Sequence, residues 1–182
     1  MTTPIPSLIR TMILLLVVLP LAISAQKAPI GQMIYTLGTE TYTVNLRSLS
    51  VRFDTKETGE PGKEKRNTSV GMTVYDYDNN KGIRFTILDD KVVRELKGHY
   101  PLRFPAGFEE GESLRSTSIM VVDTKNSTNI SQSLKGGTCE VLISGTRVEI
   151  TIRNARVKGQ NKELPFEFSL KTDQAKVKQP GE

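Results

Sequence analysis

The chain has 182 residues and a formal net charge of +5, with one cysteine, one histidine and no tryptophan. A lone cysteine excludes an intrachain disulfide framework, and one cysteine plus one histidine cannot supply the four N or S ligands of a structural zinc site. The charge excess is mild and spread along the chain, without the basic stripe and stacking aromatics of a nucleic-acid binder, so nucleic acid is set aside as a partner.

At the start, Arg10 precedes an almost unbroken apolar run from Met12 to Leu21, and Ala22-Ile23-Ser24-Ala25 places small residues where a signal peptidase cuts. That order of parts predicts a secretory signal peptide over residues 1–25. The apolar run is ten residues long, short of the ~20 that span a bilayer as a helix. The expected product is exported, periplasmic or extracellular, with no integral membrane segment after cleavage. What remains suits one domain, placed at residues 32–171, with enough chain to bury a core without covalent staples. Residues 172–182 hold charges, Gln, Pro180 and Gly181, and read as a disordered tail.

The dominant period inside the domain is two, the mark of strands with one buried face. Tyr42, Val44 and Leu46 alternate with polar residues, and Leu49, Val51 and Phe53 alternate on the opposite parity. A turn or bulge near Arg47-Ser48 is therefore required. Asp54 to Thr68, with Gly59, Pro61 and Gly62, reads as a solvated loop. Val70 to Tyr77 and Ile83 to Leu88 form a hairpin around Asp78-Asn79-Asn80-Lys81-Gly82. Asp89 to Lys97 fits either one helical turn or a strand. Gly98 to Phe104 is an edge or bulged strand, since Pro101 donates nothing to a ladder. Leu114 to Val122 is a further strand, and Asp123 to Asn129 a polar turn. Cys139 to Ile143, Val148 to Ile152 and Leu164 to Leu170 form a three-stranded meander. Eight to ten short strands point to an all-β antiparallel sandwich, with a calycin-like closed barrel as the alternative.

Reactive groups are few. His99 points outward if Tyr100 points inward, and Cys139 lies in phase with Val141 and Ile143 on the core face, where a thiol is inert. No catalytic residue is assigned. Asp76-x-Asp78-x-Asn80 has the oxygen spacing that opens a calcium loop, but Lys81 and Ile87 stand where such a loop needs Gly and Glu, so it reads as a turn. Glu109, Glu110 and Glu112 read as a solvated loop, and no metal or cofactor is expected. Three sequons, at Asn67, Asn126 and Asn129, fall in or beside expected loops.

The sharper expectation concerns the hairpin at residues 70–88. With an even number of loop residues, odd positions on one strand pair with even positions on the other, and Val74 meets Phe85 or Ile87. Tyr75, Tyr77 and Arg84 then form an outward amphipathic patch, and Tyr and Arg are enriched at binding hot spots. These three are the candidate binding residues.

The Ala25-Gln26 junction, the segment Gly98-His99-Tyr100-Pro101-Leu102, the hairpin from Cys139 to Ile152 around Ser144-Gly145-Thr146, and Phe166 to Leu170 together resemble the small exported β-proteins of Gram-negative bacteria. The resemblance is one of pattern over most of the mature chain and carries no functional residue. It implies a non-catalytic β-domain in the periplasm or at the cell surface, a binding or assembly module for a protein or another cell-envelope component. The alternative, from the barrel reading, is a carrier of a small apolar ligand.

Overall fold

A computed structural model of the chain describes residues 28–58, 65–103, 113–133, 136–159 and 161–182. The expected signal peptide and the three glutamates from 109 to 112 lie outside these. Twelve strands and no helix are found among the described residues: β1 Gly31–Leu37, β2 Glu40–Leu46, β3 Ser50–Thr58, β4 Lys65–Asp76, β5 Lys81–Asp89, β6 Leu96–Pro101, β7 Ser116–Asp123, β8 Thr128–Ser133, β9 Thr138–Ser144, β10 Arg147–Gly159, β11 Glu163–Thr172 and β12 Lys176–Lys178. No described helix is long and apolar enough to cross a membrane. The all-β class is as expected.

The strands form one curled, open sheet, a half-barrel, in the order β12-β3-β4-β5-β7-β8-β10-β11-β1-β2. All its pairings are antiparallel except that of β12 with β3. β6 and β9 branch from the path. The first half of β10, Arg147 to Arg153, pairs with β9, and its end, Val157 to Gly159, pairs with β8. The change of partner coincides with a bulge after Ile152, where Asn154 adopts φ 54°. Such a bulge bends the strand and re-aims it. Gly137 lies under the bend at φ +77°, and a Cβ there would stand 2.8 Å from Ala155 Cα and from the Arg153 carbonyl oxygen. Only glycine fits both demands.

Alternation places one row of each strand in a common interior. Phe166, Phe168 and Leu170 of β11, Val148, Ile150 and Ile152 of β10, and Val51 and Phe53 of β3 are buried. The curl lays distant strands over each other: the Phe85 ring of β5 meets Phe168 of β11 with centroids 4.7 Å apart. Burial of side chains this large stabilises by roughly 1.5–3 kcal/mol each.

Three local expectations are corrected. Of the loop expected over Asp54 to Thr68, the described residues are strand, since Asp54↔Ser69 through Thr58↔Lys65 continue the β3–β4 ladder, while Gly59, Pro61 and Gly62 lie outside the described residues. Arg66 Nε lies 3.5 Å from Glu57 across this ladder. Asn67 is thereby only 2% exposed. The helical turn considered for Asp89 to Lys97 is absent, and the connector is tied down by Thr68, whose hydroxyl donates to the Lys91 carbonyl and accepts from Val93 N–H, both at 2.8 Å. Residues 172–182, expected as a disordered tail, include the end of β11, the buried Ala175, and β12 on the edge of β3. Two backbone bonds, Ala175 N–H to the Thr146 carbonyl and Lys176 N–H to the Leu49 carbonyl, hold this segment and offset the cost of ordering it.

Candidate functional site

The β4–β5 hairpin builds the site. Its ladder runs from Thr68↔Asp89 to Asp76↔Lys81, leaving Tyr77 to Asn80 as the turn. Asn80 takes φ 51°, which Asn tolerates better than most residues. Asp76 fixes the turn from below: its carboxylate accepts from Asn79 N–H at 3.1 Å and from Asn79 Nδ2 at 2.9 Å. The third bond to Asp76 comes from the Tyr35 hydroxyl, at 2.7 Å. Of the three residues that suggested a calcium loop, Asp76 thus has its carboxylate engaged in closing the hairpin. Among the described residues, no group of three or more His, Cys, Asp or Glu side chains is arranged to hold a metal.

Odd positions do pair with even ones, and the apolar rows do coincide. The exact partners differ by two residues from the expectation. Val74 meets Ile83, Tyr75 meets Gly82, and Arg84 lies opposite Thr73. The turn runs from Tyr77 to Asn80 and not from Asp78 to Gly82, which moves every pair. Tyr75 therefore lies diagonal to Arg84 on the outer face. Its ring packs against Gly82, where an added Cβ would stand 3.6 Å from Tyr75 Cδ1. Tyr75 is 45% exposed and Tyr77 70% exposed, and their rings stack with centroids 5.6 Å apart and planes 24° from parallel.

What the sequence did not reveal is the opposing wall. Thr43 to Ser48, the end of β2 and its exit, face Tyr75, Tyr77 and Asp78 across a groove of about 240 Å³. β2 and β4 are remote along the sheet path, so no local signal could pair them. The hairpin ends are further joined by Lys81, whose ammonium lies 4.5 Å from the centre of the Tyr42 ring, and Tyr42 stacks on Tyr35 at 4.8 Å.

Exposed cations outnumber carboxylates on the outer face of the strands next to the groove. Arg47 lines it, and Arg84, Arg52, Lys176 and Lys178 are exposed on the outer face of β5, β3 and β12. The carboxylates there are Asp78, Asp54 (2.9 Å from Arg52 Nε) and Glu182, which accepts from Gln179 N–H at 3.0 Å, with Glu40 at the start of β2. The opposite arm of the sheet differs: Glu149 is held by Arg147 at 2.8 Å and Lys171 at 3.2 Å, and Glu163 lies 3.9 Å from Arg156.

His99 and Cys139 are not brought together. His99 pairs across strands with Glu140, at 3.8 Å, with its side chain 74% exposed. Cys139 pairs with Tyr100 on the inner face, where burial pushes its thiol up to about 11. Two-residue alternation separates the imidazole and the thiol onto opposite faces of the same ladder. The chain matches no protein-family model, no curated protein and no solved structure.

Proposed function

We propose that this chain is an exported, non-catalytic β-domain that acts as a binding or assembly module in the periplasm or at the cell surface, with its contact surface at Tyr75, Tyr77 and Arg84. The observation that carries the reading is the stacked, exposed Tyr75–Tyr77 pair at the edge of a groove that Arg47 and Asp78 also line, with Arg84 diagonal to Tyr75. Exposed aromatics of low rotamer entropy beside arginine are the residue types that anchor interfaces. We read the curled sheet as a sandwich of two facing arms, on the strength of the Phe85–Phe168 contact between strands four places apart in the order. The same contact fills the centre that a carrier of apolar ligands would keep open, so the carrier reading has less support.

The test is retention on washed cell envelopes of a Gram-negative bacterium. The full chain, expressed in such a host, is expected to appear in the periplasmic or medium fraction and the purified mature protein to sediment with envelopes. Tyr75→Ser with Tyr77→Ser, or Arg84→Gln, is expected to release it without changing its thermal melt. Sedimentation indifferent to all three would refute the assignment.

A further inference from the structure

We propose that the groove between β2 and the tyrosine wall accepts an acidic polypeptide segment in extended form, added to β2 as a further strand. This rests on the functional reading above and specifies the partner's chemistry and its mode of attachment.

The two ends of the sheet are treated differently. At one end, β3 is covered by β12, a three-residue strand whose outward residues are Lys176 and Lys178. Short strands and lysines are the usual means of blunting an edge. At the other end, β2 pairs with β1 alone, in unbroken register from Gly31↔Leu46 to Leu37↔Glu40. Its sequence, Glu-Thr-Tyr-Thr-Val-Asn-Leu, contains no lysine and no proline, and the ladder has no bulge. Beyond the exposed Glu40 at its start, the exposed side chains along it, Thr41, Thr43 and Asn45, are small and uncharged. The backbone N–H and C=O groups of its outer edge have no strand partner among the described residues. β2 is therefore an unguarded edge, and it opens onto the groove.

The groove supplies what strand addition needs beyond backbone pairing. Alternate side chains of an added strand project to opposite sides, and on one side they meet Tyr75 and Tyr77. Pockets for alternate residues give such complexes their specificity, while the main-chain ladder gives affinity. The sign of the partner follows from the exposed charge on and beside these strands: Arg47, Arg52, Arg84, Lys176 and Lys178 against Glu40, Asp54, Asp78 and Glu182. This field favours carboxylates and disfavours a second copy of the same cationic chain. An anionic glycan or lipid headgroup would answer the charge but has no peptide ladder to offer β2.

The test uses a fluorescent peptide of about ten residues, the upper range of strand length, alternating Glu with Val or Thr. Its counterparts carry Lys in place of Glu, or N-methyl groups on alternate amides, and heparin serves as a polyanion without a backbone ladder. The acidic peptide is expected to bind the mature protein, to slow hydrogen exchange at Thr43 to Asn45, and to weaken with salt. N-methylation is expected to cost about tenfold, the loss of one or two edge hydrogen bonds, and the Lys peptide to bind no better than the N-methylated one. Tyr75→Ser with Tyr77→Ser should weaken the acidic peptide by a similar factor. If heparin binds and N-methylation changes nothing, strand addition is wrong while the cationic aromatic surface survives as a binding site. If the acidic peptide does not bind, strand addition is likewise wrong, and envelope sedimentation alone decides the functional reading. If the peptide binds but ignores Tyr75, Tyr77 and Arg84, that surface is not the site and both proposals fail.

Discussion

The Tyr35 hydroxyl donates to Asp76 Oδ2 at 2.7 Å, joining β1 near one end of the sheet to the tip of β4 near the other. Both groups are buried. Tyr35→Phe leaves the carboxylate one donor short without making a cavity, and is expected to destabilise by ~1–3 kcal/mol. Urea unfolding of the two proteins at neutral pH checks this, and an unchanged midpoint would show that water replaces the lost donor.

Alkaline pH tests the same contact from the other side. Burial, then the bond to Asp76, raises the Tyr35 phenol far above the ordinary tyrosine value. Burial and the Asp89 bond push Tyr100 up to about 12. A phenol that is harder to ionise when folded than when unfolded stabilises fully below the unfolded value of ~10 and loses that contribution as pH rises past it. The melting temperature is expected to fall steeply above pH ~10. In an absorbance titration of phenolate, Tyr35 and Tyr100 should ionise only as the protein unfolds. A titration in which all five tyrosines ionise together near the ordinary value, with the fold intact, would contradict the two buried bonds.

Cys139 is buried and its thiol is pushed up to about 11. Reaction with a thiol reagent at pH 8 should therefore track unfolding, being negligible in the native protein and complete in denaturant. Rapid native labelling would place the thiol elsewhere than on the inner face.

Gly137 and Gly136 offer a controlled pair. Both have positive φ, but an added Cβ meets backbone atoms at 2.8 Å only at Gly137, with nothing within 4 Å at Gly136. Gly136→Ala is expected to cost ~1 kcal/mol for the backbone conformation alone. Gly137→Ala should cost clearly more, because the bend in β10 must shift. Equal losses in thermal melts would mean that the close approach is easily relieved.

The sequons separate by exposure. Asn67 is 2% exposed within β4, whereas Asn126 lies in the exposed turn between β7 and β8. When the chain is expressed through a eukaryotic secretory pathway, peptide mass spectrometry of the folded, secreted product should find a glycan at Asn126 and none at Asn67.

Strand identity was readable wherever one face is apolar and the other polar, as in Phe166-Glu167-Phe168-Ser169-Leu170. It was not readable in Met33-Ile34-Tyr35, where both faces carry apolar residues: Met33 and Tyr35 are buried and Ile34 lies outside. Asp54 to Thr58 and Lys65 to Thr68 were mistaken for loop because a ladder that outruns the core has no apolar row to announce it. For the candidate site, periodicity gave the tyrosines and the pairing parity. It could not give their exact partners, which depend on where the turn begins, or the groove, whose second wall comes from a strand far along the sheet path.

β10 serves two neighbourhoods at once, with one half in the β9 ladder and the other in the β8 ladder. Neither half of the molecule can come apart while leaving this strand fully satisfied. Denaturation should thus proceed as a single event with coincident loss of ellipticity and of buried-tyrosine signal, and a lesion at the Asn154 kink should lower the whole transition without splitting it.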